Sequence, residues 1–124
     1  MDIPKVPKVF ESEYKLALIV WQYEPITTHD LVQRCIESLG WKRTTAYTQL
    51  KRLTQRAILK TENSTVTSVV PKEAVQVRES KEFLDRTFDG SLPGFIAAFA
   101  QSKALTHQDI EEIQKLIDSY QEEP

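Results

Sequence analysis

The sequence predicts a mainly helical chain with one small β-hairpin, and the prediction is based on three observations. Apolar residues recur at helical spacing along most of the 124 residues, and two of the predicted helices are joined by a short turn that contains Gly40. The period then changes at residues 58–61 and 66–70, which are β-rich and flank the polar tip 62–64. A helix-turn-helix followed by a hairpin is typical of a winged helix.

Residues that start or stop helices set the boundaries in the first half of the chain. Ser12 is the candidate N-cap of the first helix. This helix is expected to end at Glu24, because the residue before a proline is pushed out of the helical region. Ile26 follows as a short extended link. Thr27 opens the second helix in a capping-box pattern, and Gly40 ends it.

Three more helices are predicted after Pro71, which ends the wing. The first covers residues 72–88 and stops at the break 89–91, where a glycine interrupts the pattern. The second, 92–100, is apolar nearly all round. The last helix is capped by Thr106.

These elements predict a winged-helix DNA-binding domain over residues 1–72, with an extended arm at 1–10, and a helical dimerisation domain over 73–124. About fifty residues supply little core of their own, so a second copy of the chain is expected to cover the apolar side chains of the second domain. The stripe along the last helix also fits an intramolecular core. The predicted dimerisation residues are Phe83, Leu84, Phe88, Phe95, Ile96, Phe99, Ile110, Ile113, Ile117 and Tyr120.

The helix predicted from Arg43 has two different faces. Ala46, Leu50, Leu53 and Ala57 form an apolar stripe at i, i+4, i+7 and i+11. No acidic residue occurs in this helix, whereas solvated helices normally mix charges of both signs. The polar face is therefore expected to bind DNA, mainly at phosphates. Tyr47 fits packing and phosphate contact equally well. The predicted DNA-binding residues are Lys42, Arg43, Thr44, Thr45, Tyr47, Thr48, Lys51, Arg52, Gln55 and Arg56.

The net charge of −2 hides a division between the two halves of the chain. Residues 1–72 hold eleven basic and seven acidic residues, a net charge of +4, and residues 73–124 hold five and eleven, a net charge of −6. A polyanion is attracted by the first half and repelled by the second. This division favours a basic binding surface joined to an acidic module.

Other functional classes lack their sequence signals. No Ser/His/Asp or Cys/His arrangement and no glycine-rich phosphate loop is present, so an enzyme is not expected. His29 and His107 lack metal-ligand spacing, and neither a metal nor a cofactor is predicted. Cys35 is alone and is expected to be a small buried hydrophobe in a reducing cytoplasm. No apolar run approaches the ~20 residues of a membrane span.

The sequence resembles the penicillinase and methicillin-resistance repressor family of winged-helix regulators along almost its whole length. The first helix has the family's order of an acidic residue, an aromatic residue, an apolar face and Trp21. The break at residues 88–91 and the capped helix from Leu105 also lie where the family has them. The family's recognition-helix pattern T-[VI]-x-T-x-[LI]-x-R-L is met by Thr45, Thr48, Leu50, Arg52 and Leu53.

The resemblance implies a dimeric transcriptional repressor that occupies palindromic operators near resistance genes. It also implies, as in some members, an inducing protease that cuts the short helix at an Asn-Phe bond, where this chain has Ala98-Phe99. Copper-responsive relatives carry Cys-x-Cys motifs that a chain with one cysteine cannot build. The wing tip lacks the family's Gly-Arg pair, which leaves a wing contact to DNA open. A protein-interaction adaptor and a small-molecule-sensing regulator are the alternative functions.

Overall fold

The structure is a computed structural model that describes residues 6–120. The described part of the chain is mainly helical with a small antiparallel sheet, which confirms the predicted fold class. The elements are α1 (Glu11–Tyr23), β1 (Ile26–Thr27), α2 (Thr28–Leu39), α3 (Arg43–Gln55), β2 (Leu59–Glu62), β3 (Thr65–Ser68), α4 (Lys72–Phe88), α5 (Leu92–Gln101) and α6 (His107–Ser119).

The central strand of the sheet is β3, which pairs antiparallel with β1 and with β2. The sequence predicts only an extended link at Ile26, but Ile26 lies opposite Val66 and both are buried, so the link is the third strand. Asn63 and Ser64 join β2 to β3 with positive φ angles of 51° and 60°. Two consecutive residues with left-handed backbone angles match the right-handed twist of a hairpin. As a result, β2 covers Leu59–Glu62, one residue later in the sequence than predicted.

The start of α1 differs from the sequence prediction. Phe10 is the N-cap and the helix begins at Glu11, so the assignment of Ser12 as N-cap is wrong. The reason is Glu13, whose Oε1 accepts a hydrogen bond from the backbone N–H of Phe10 at 2.9 Å. This bond satisfies the backbone N–H of the N-cap residue, and the helix starts two residues earlier than it would with Ser12 as the N-cap.

The other helix ends follow their local signals. Glu24 ends α1 in an extended conformation. The hydroxyl of Thr27 accepts a hydrogen bond from the backbone N–H of Asp30 at 3.1 Å, and Gly40 ends α2 at φ +67°. Thr106 caps α6 through a capping box. The predictions for these four positions are confirmed.

The hydrophobic core lies where α1, α2 and α3 pack on one another and on the sheet. Each helix contributes one apolar face, and the first turn of α4 contributes one side chain. Burial of these faces is the main stabilising term of the N-terminal half. The completely or almost completely buried residues are Leu16, Ala17, Val20, Leu31, Val32, Cys35, Ala46, Leu53, Ile58, Leu59, Val66 and Val75.

Both tryptophans lie at the edge of this core. Nε1 of Trp21 donates a hydrogen bond to the backbone carbonyl of Val70 at 3.0 Å, and its ring meets that of Tyr14 edge-on at 5.7 Å. Trp41 packs half-buried against the same core at the start of the turn into α3. The sequence predicts core positions for both, as observed.

A buried ion pair joins α1 to the end of α3. The guanidinium of Arg56 lies against the carboxylate of Glu13, whose side chain is only 3% exposed. Nη1 of Arg56 also donates a hydrogen bond to the backbone carbonyl of Lys8 at 2.7 Å. Burial alone would raise the pKa of Glu13, but hydrogen bonds from Arg56 and from the Phe10 N–H, with the nearby arginine charges, lower it below its ordinary value.

The described chain divides into two compact units between Glu79 and Ser80, within α4. The N-terminal unit contains α1 to β3 and the first part of α4, where Val75 is buried and Nε of Arg78 donates to the carbonyl of Val6 at 2.6 Å. The C-terminal unit contains the rest of α4 with α5 and α6. The functional division predicted after residue 72 stays a prediction.

The C-terminal unit has an aromatic cluster but no closed core. The rings of Phe83, Phe88 and Phe95 contact one another with centroids 5.5–5.8 Å apart. Among residues 80–120, all of which the structure describes, no side chain is buried. Leu116 and Ile117 on α6 are 69% and 61% exposed. This unit therefore leaves much of its apolar surface uncovered.

Replacement of Gly40 by alanine is expected to lower the free energy of unfolding by about 1 kcal/mol, because a side chain at φ +67° is strained. An added Cβ would meet nothing within 4 Å, so strain is the whole cost. Urea unfolding followed by tryptophan fluorescence measures the loss. The control is Ser38→Ala at an exposed position of the same helix, and equal losses in the two variants would contradict the prediction.

The buried carboxylate is expected to make stability depend on pH. Because the pKa of Glu13 is lowered in the folded chain, its contribution is present above the ordinary value of 4.5 and is lost as the pH falls through the folded-state pKa. Between about pH 6 and pH 3 the unfolding free energy should fall more steeply for wild type than for Glu13→Gln. Urea titrations at each pH test this. Glu11→Gln, at an exposed carboxylate of α1, should follow wild type, and parallel curves for all three proteins would contradict the expectation.

Candidate nucleic-acid interface

The packing of α3 decides which of its side chains face solvent. Ala46 and Leu53 are completely buried and Leu50 is nearly so, which turns the opposite face outward. The assignment of Ala57 to this stripe is wrong, because Ala57 lies beyond the end of the helix at φ 59° and is exposed. Thr45 is half-buried at the edge of that face. The predicted DNA-binding residues that are exposed are Lys42, Arg43, Thr44, Tyr47, Thr48, Lys51, Arg52 and Gln55. We call these eight residues and Thr45 the α3 face.

The start of α3 lacks a side-chain cap. Lys42 is the N-cap and makes no side-chain capping bond. The backbone N–H groups of the first turn therefore keep no partner within the helix, and no acidic residue lies in that turn. An uncapped helix start with a partial positive charge is favourable for an anion such as phosphate.

The basic side chains of the α3 face form no ion pair with a carboxylate that the structure describes. Within residues 6–120 this holds for Lys42, Arg43, Lys51 and Arg52, although the charge of Arg52 helps to lower the pKa of Glu13. Charges of one sign on one face raise the local positive potential, which a polyanion would lower. The hydroxyl of Thr48 donates to the carbonyl of Thr44 at 2.9 Å, which leaves its methyl group and oxygen facing outward.

Arg56 differs from the other predicted DNA-binding residues, because its charge is already paired within the fold. Its guanidinium is engaged with Glu13 and with the carbonyl of Lys8, and its side chain is 29% exposed. A group already paired in this way cannot also bind a phosphate without leaving a buried carboxylate unpaired. We therefore leave Arg56 out of the α3 face. The sequence suggested a DNA contact because Glu13 lies 43 residues away and is not an i, i+4 partner.

The wing contributes less charge than the helix. Nζ of Lys60 lies 3.9 Å from a carboxylate oxygen of Glu62, so the hairpin carries little net charge. The carbonyl of Ser64 accepts hydrogen bonds from the backbone N–H and the hydroxyl of Thr28, at 2.9 and 3.3 Å. The wing tip is thus tied to the start of α2.

A shallow groove of about 430 Å³ runs between α3 and β2. Two of its lining residues, Thr54 and Thr61, were not predicted as site residues. No local pattern marks Thr61, because its neighbours Lys60 and Glu62 are also exposed. The groove is lined by Tyr47, Leu50, Lys51, Thr54, Gln55 and Thr61.

The predicted dimerisation residues form a second candidate surface in the C-terminal unit. Leu84, Phe88, Phe95, Ile96 and Ile113 are half-buried, and the others are exposed, from 38% for Phe83 to 74% for Tyr120. A groove of about 340 Å³ lies between α5 and α6. Its walls are mostly apolar, with the carboxylates of Asp109 and Glu112 among them: the lining residues are Phe95, Ile96, Phe99, Leu105, Asp109, Glu112, Ile113 and Leu116.

The predicted cleavage site lies within a regular helix. Ala98 and Phe99 are both in α5 and both are exposed. Proteases bind extended substrates, so cleavage at this bond would require part of α5 to unwind. Cleavage at Ala98-Phe99 stays a prediction.

Residues 6–120 hold no group of three or more side chains that could together bind a metal ion. Cys35 is completely buried, and burial raises the pKa of its thiol to about 11. No helix in that part of the chain is long and apolar enough to cross a membrane.

Comparison with known proteins places this architecture in a family. The family model for the penicillinase repressor matches residues 10–119. The penicillinase repressor of Bacillus licheniformis is 20% identical over 121 residues, which cover 94% of each chain. The methicillin resistance regulatory protein MecI of Staphylococcus aureus (strain N315) is 19% identical over 117 residues, covering 91% of this chain and 95% of MecI. The matches extend through both compact units, and the chain belongs to the penicillinase repressor family.

Proposed function

We propose that this protein is a transcriptional repressor that binds double-stranded operator DNA as a homodimer. The α3 face is the main support for this proposal. It combines basic side chains that form no ion pair within residues 6–120 with a helix start that no side chain caps. The names of its relatives, penicillinase repressor and methicillin resistance regulatory protein, support the same function. A repressor must reach its operator DNA, so we propose that this protein is cytoplasmic.

The dimensions of α3 suit the major groove. Its 13 residues give a length of about 20 Å, and a helix fits the ~12 Å width of the groove. Phosphate binding falls to Lys42 and Arg43 at one end of the helix and to Lys51 further along it. Contacts of this kind supply affinity without sequence preference.

Base recognition is assigned to Arg52 in the last turn of α3 and to side chains nearer the start of the helix. Arg52 has the forked guanidinium that recognises guanine through two hydrogen bonds. The methyl groups of Thr45 and Thr48 suit contact with a thymine methyl, and Tyr47 and Gln55 lie beside them along the groove with β2. The wing, tied at Ser64 and nearly neutral, contributes little to this reading.

The homodimer follows from the uncovered apolar surface of the C-terminal unit. Patches of exposed Ile, Leu and Phe side chains mark interaction surfaces in proteins of this size. A two-fold symmetric dimer carries two α3 helices, which suits two half-sites about 34 Å apart, one turn of DNA. Two identical half-sites related in this way make a palindromic operator.

A resistance gene is the proposed target, since relatives are named for penicillinase and methicillin resistance. An inducing protease that cuts at Ala98-Phe99 is part of the same proposal. The groove between α5 and α6 favours one alternative, a regulator that senses a small apolar molecule. The other, a protein-interaction adaptor, predicts a chain that ignores DNA.

Direct binding is the first test. A labelled duplex from the region upstream of the gene, followed by fluorescence anisotropy, should show a complex whose affinity falls steeply with salt. Arg52→Ala should weaken binding by about 1–3 kcal/mol and relax the sequence preference. Lys51→Ala should weaken binding to all sequences and reduce the salt slope by about 1.

The control for both variants is Lys15→Ala, which removes an exposed lysine of α1. It should bind DNA like wild type. Absence of any complex at low salt would refute DNA binding and favour the adaptor. An effect of Lys15→Ala as large as that of Arg52→Ala would refute the assignment of the α3 face.

Sedimentation equilibrium tests the homodimer. Ile117→Asp introduces a charge on a 61% exposed apolar side chain of α6 and should raise the dimer dissociation constant about 30-fold, because a buried carboxylate costs about 2 kcal/mol. Gln114→Asp adds the same charge at an exposed polar position of the same helix and should change little. A monomeric wild-type protein, or equal effects of the two substitutions, would contradict the proposal.

A further inference from the structure

Three side chains from distant parts of the N-terminal unit hold the segment 6–10, which we call the N-terminal arm. Arg56, after α3, donates to the carbonyl of Lys8 at 2.7 Å. Arg78 on α4 donates to the carbonyl of Val6 at 2.6 Å, and Glu79 accepts from the backbone N–H of Val9 at 3.4 Å. The side chain of Val9 is buried in the core.

Arg56 is the point where the arm, α1 and α3 meet. Its guanidinium contacts the carboxylate of Glu13 on α1 and lies 5.6 Å from the ring centroid of Phe10. Its Nε donates to the carbonyl of Arg52 at 3.4 Å, one of the last carbonyls of α3. One side chain therefore contacts a buried carboxylate, the carbonyl of Lys8 in the arm and a carbonyl at the end of a helix.

The other contacts of α3 are less directional. Ala46, Leu50 and Leu53 bury one face of the helix, but hydrophobic burial has no preferred direction and tolerates small rotations. An ion pair with a forked hydrogen-bond geometry fixes both position and orientation. The end of α3 is the part of the helix that receives such a restraint.

We propose that Arg56, Glu13 and the N-terminal arm form a clasp that positions α3 for DNA. Arg56 is then a positioning residue and not a DNA contact. This inference rests on the proposed function, because the clasp matters for activity only if the α3 face binds DNA. Loss of the clasp removes none of the side chains that contact DNA, but it alters their alignment.

The two roles of Arg56 predict opposite effects of Glu13→Gln. If Arg56 bound phosphate, the substitution would release it from its partner, remove a negative charge near the DNA and tighten binding. If Arg56 acts through the clasp, Glu13→Gln weakens binding, because the ion pair is lost. The sign of the change therefore separates the two roles.

The experiment uses the full-length chain and a labelled duplex from the region upstream of its gene. Glu13→Gln and Arg56→Met should each weaken binding about 2- to 30-fold, the range for residues that act at a distance from a ligand. The affinity of the double variant for DNA should be no lower than that of the less tightly binding single variant, because both substitutions remove the same clasp. Glu11→Gln makes the same charge change at a carboxylate that is 91% exposed on α1 and should not weaken binding.

Two further readouts separate positioning from loss of folded protein and from a lost phosphate contact. Titration at DNA concentrations above the dissociation constant should give full active fractions, with only the affinity changed. The salt slopes of Glu13→Gln and Arg56→Met should agree. Tighter binding by Glu13→Gln, or a slope lower by about 1 in Arg56→Met alone, would overturn the clasp.

Hydrogen exchange tests the clasp without DNA. The backbone N–H groups of Ala57 and Ile58 donate to the carbonyls of Thr54 and Leu53, both at 3.0 Å, and close the end of α3. These amides should exchange faster in Glu13→Gln than in Glu11→Gln. If Glu13→Gln does not fold, Phe10→Leu, which removes the ring beside Arg56 and keeps an apolar side chain, takes its place.

The two proposals fail in different ways. A wild-type chain that binds no DNA refutes the proposed function, and exchange at Ala57 and Ile58 then decides the clasp alone. Unchanged exchange in Glu13→Gln and in Phe10→Leu overturns the clasp even if the wild-type chain binds DNA well.

Discussion

Burial of one face of α3 is the interaction on which the N-terminal unit depends. Ala46, Leu50 and Leu53 bring the helix against α1 and α2, and each buried leucine contributes roughly 1.5–3 kcal/mol. The same contacts turn the polar side chains of the helix outward. Folding and the proposed DNA binding therefore use one set of contacts, and a substitution in this stripe would affect both. The alanine lets α3 approach its neighbours closely, which a larger side chain would prevent.

The C-terminal unit is built on the opposite principle. Its helices have sound local signals, such as the capping box at Thr106, but they bury no side chain completely. If the proposed homodimer covers this apolar surface, the stability of the unit will depend on protein concentration. Its acidic charge, a net −6 over residues 73–124, would repel the DNA that the first half is proposed to bind.

Much of this architecture follows from local signals. Thr27, Gly40 and Thr106 set helix ends through contacts within a few residues, and the apolar stripe of α3 identifies its buried face, so the sequence predicts them correctly. The pairing of Arg56 depends on Glu13, a residue 43 positions away, which no local pattern contains. The third strand at Ile26 likewise depends on Val66. The sequence therefore predicts elements and faces well, and long-range pairings poorly.

The positions of the two tryptophans have a practical consequence. Trp21 and Trp41 both belong to the N-terminal unit, and residues 80–124 contain none. Fluorescence excited at wavelengths that only tryptophan absorbs therefore reports on the N-terminal unit and not on the C-terminal one. Dissociation or melting of the C-terminal helices will be silent at this wavelength unless it disturbs the core around Trp21. A shift of the emission on dilution would be a direct sign that the two halves communicate.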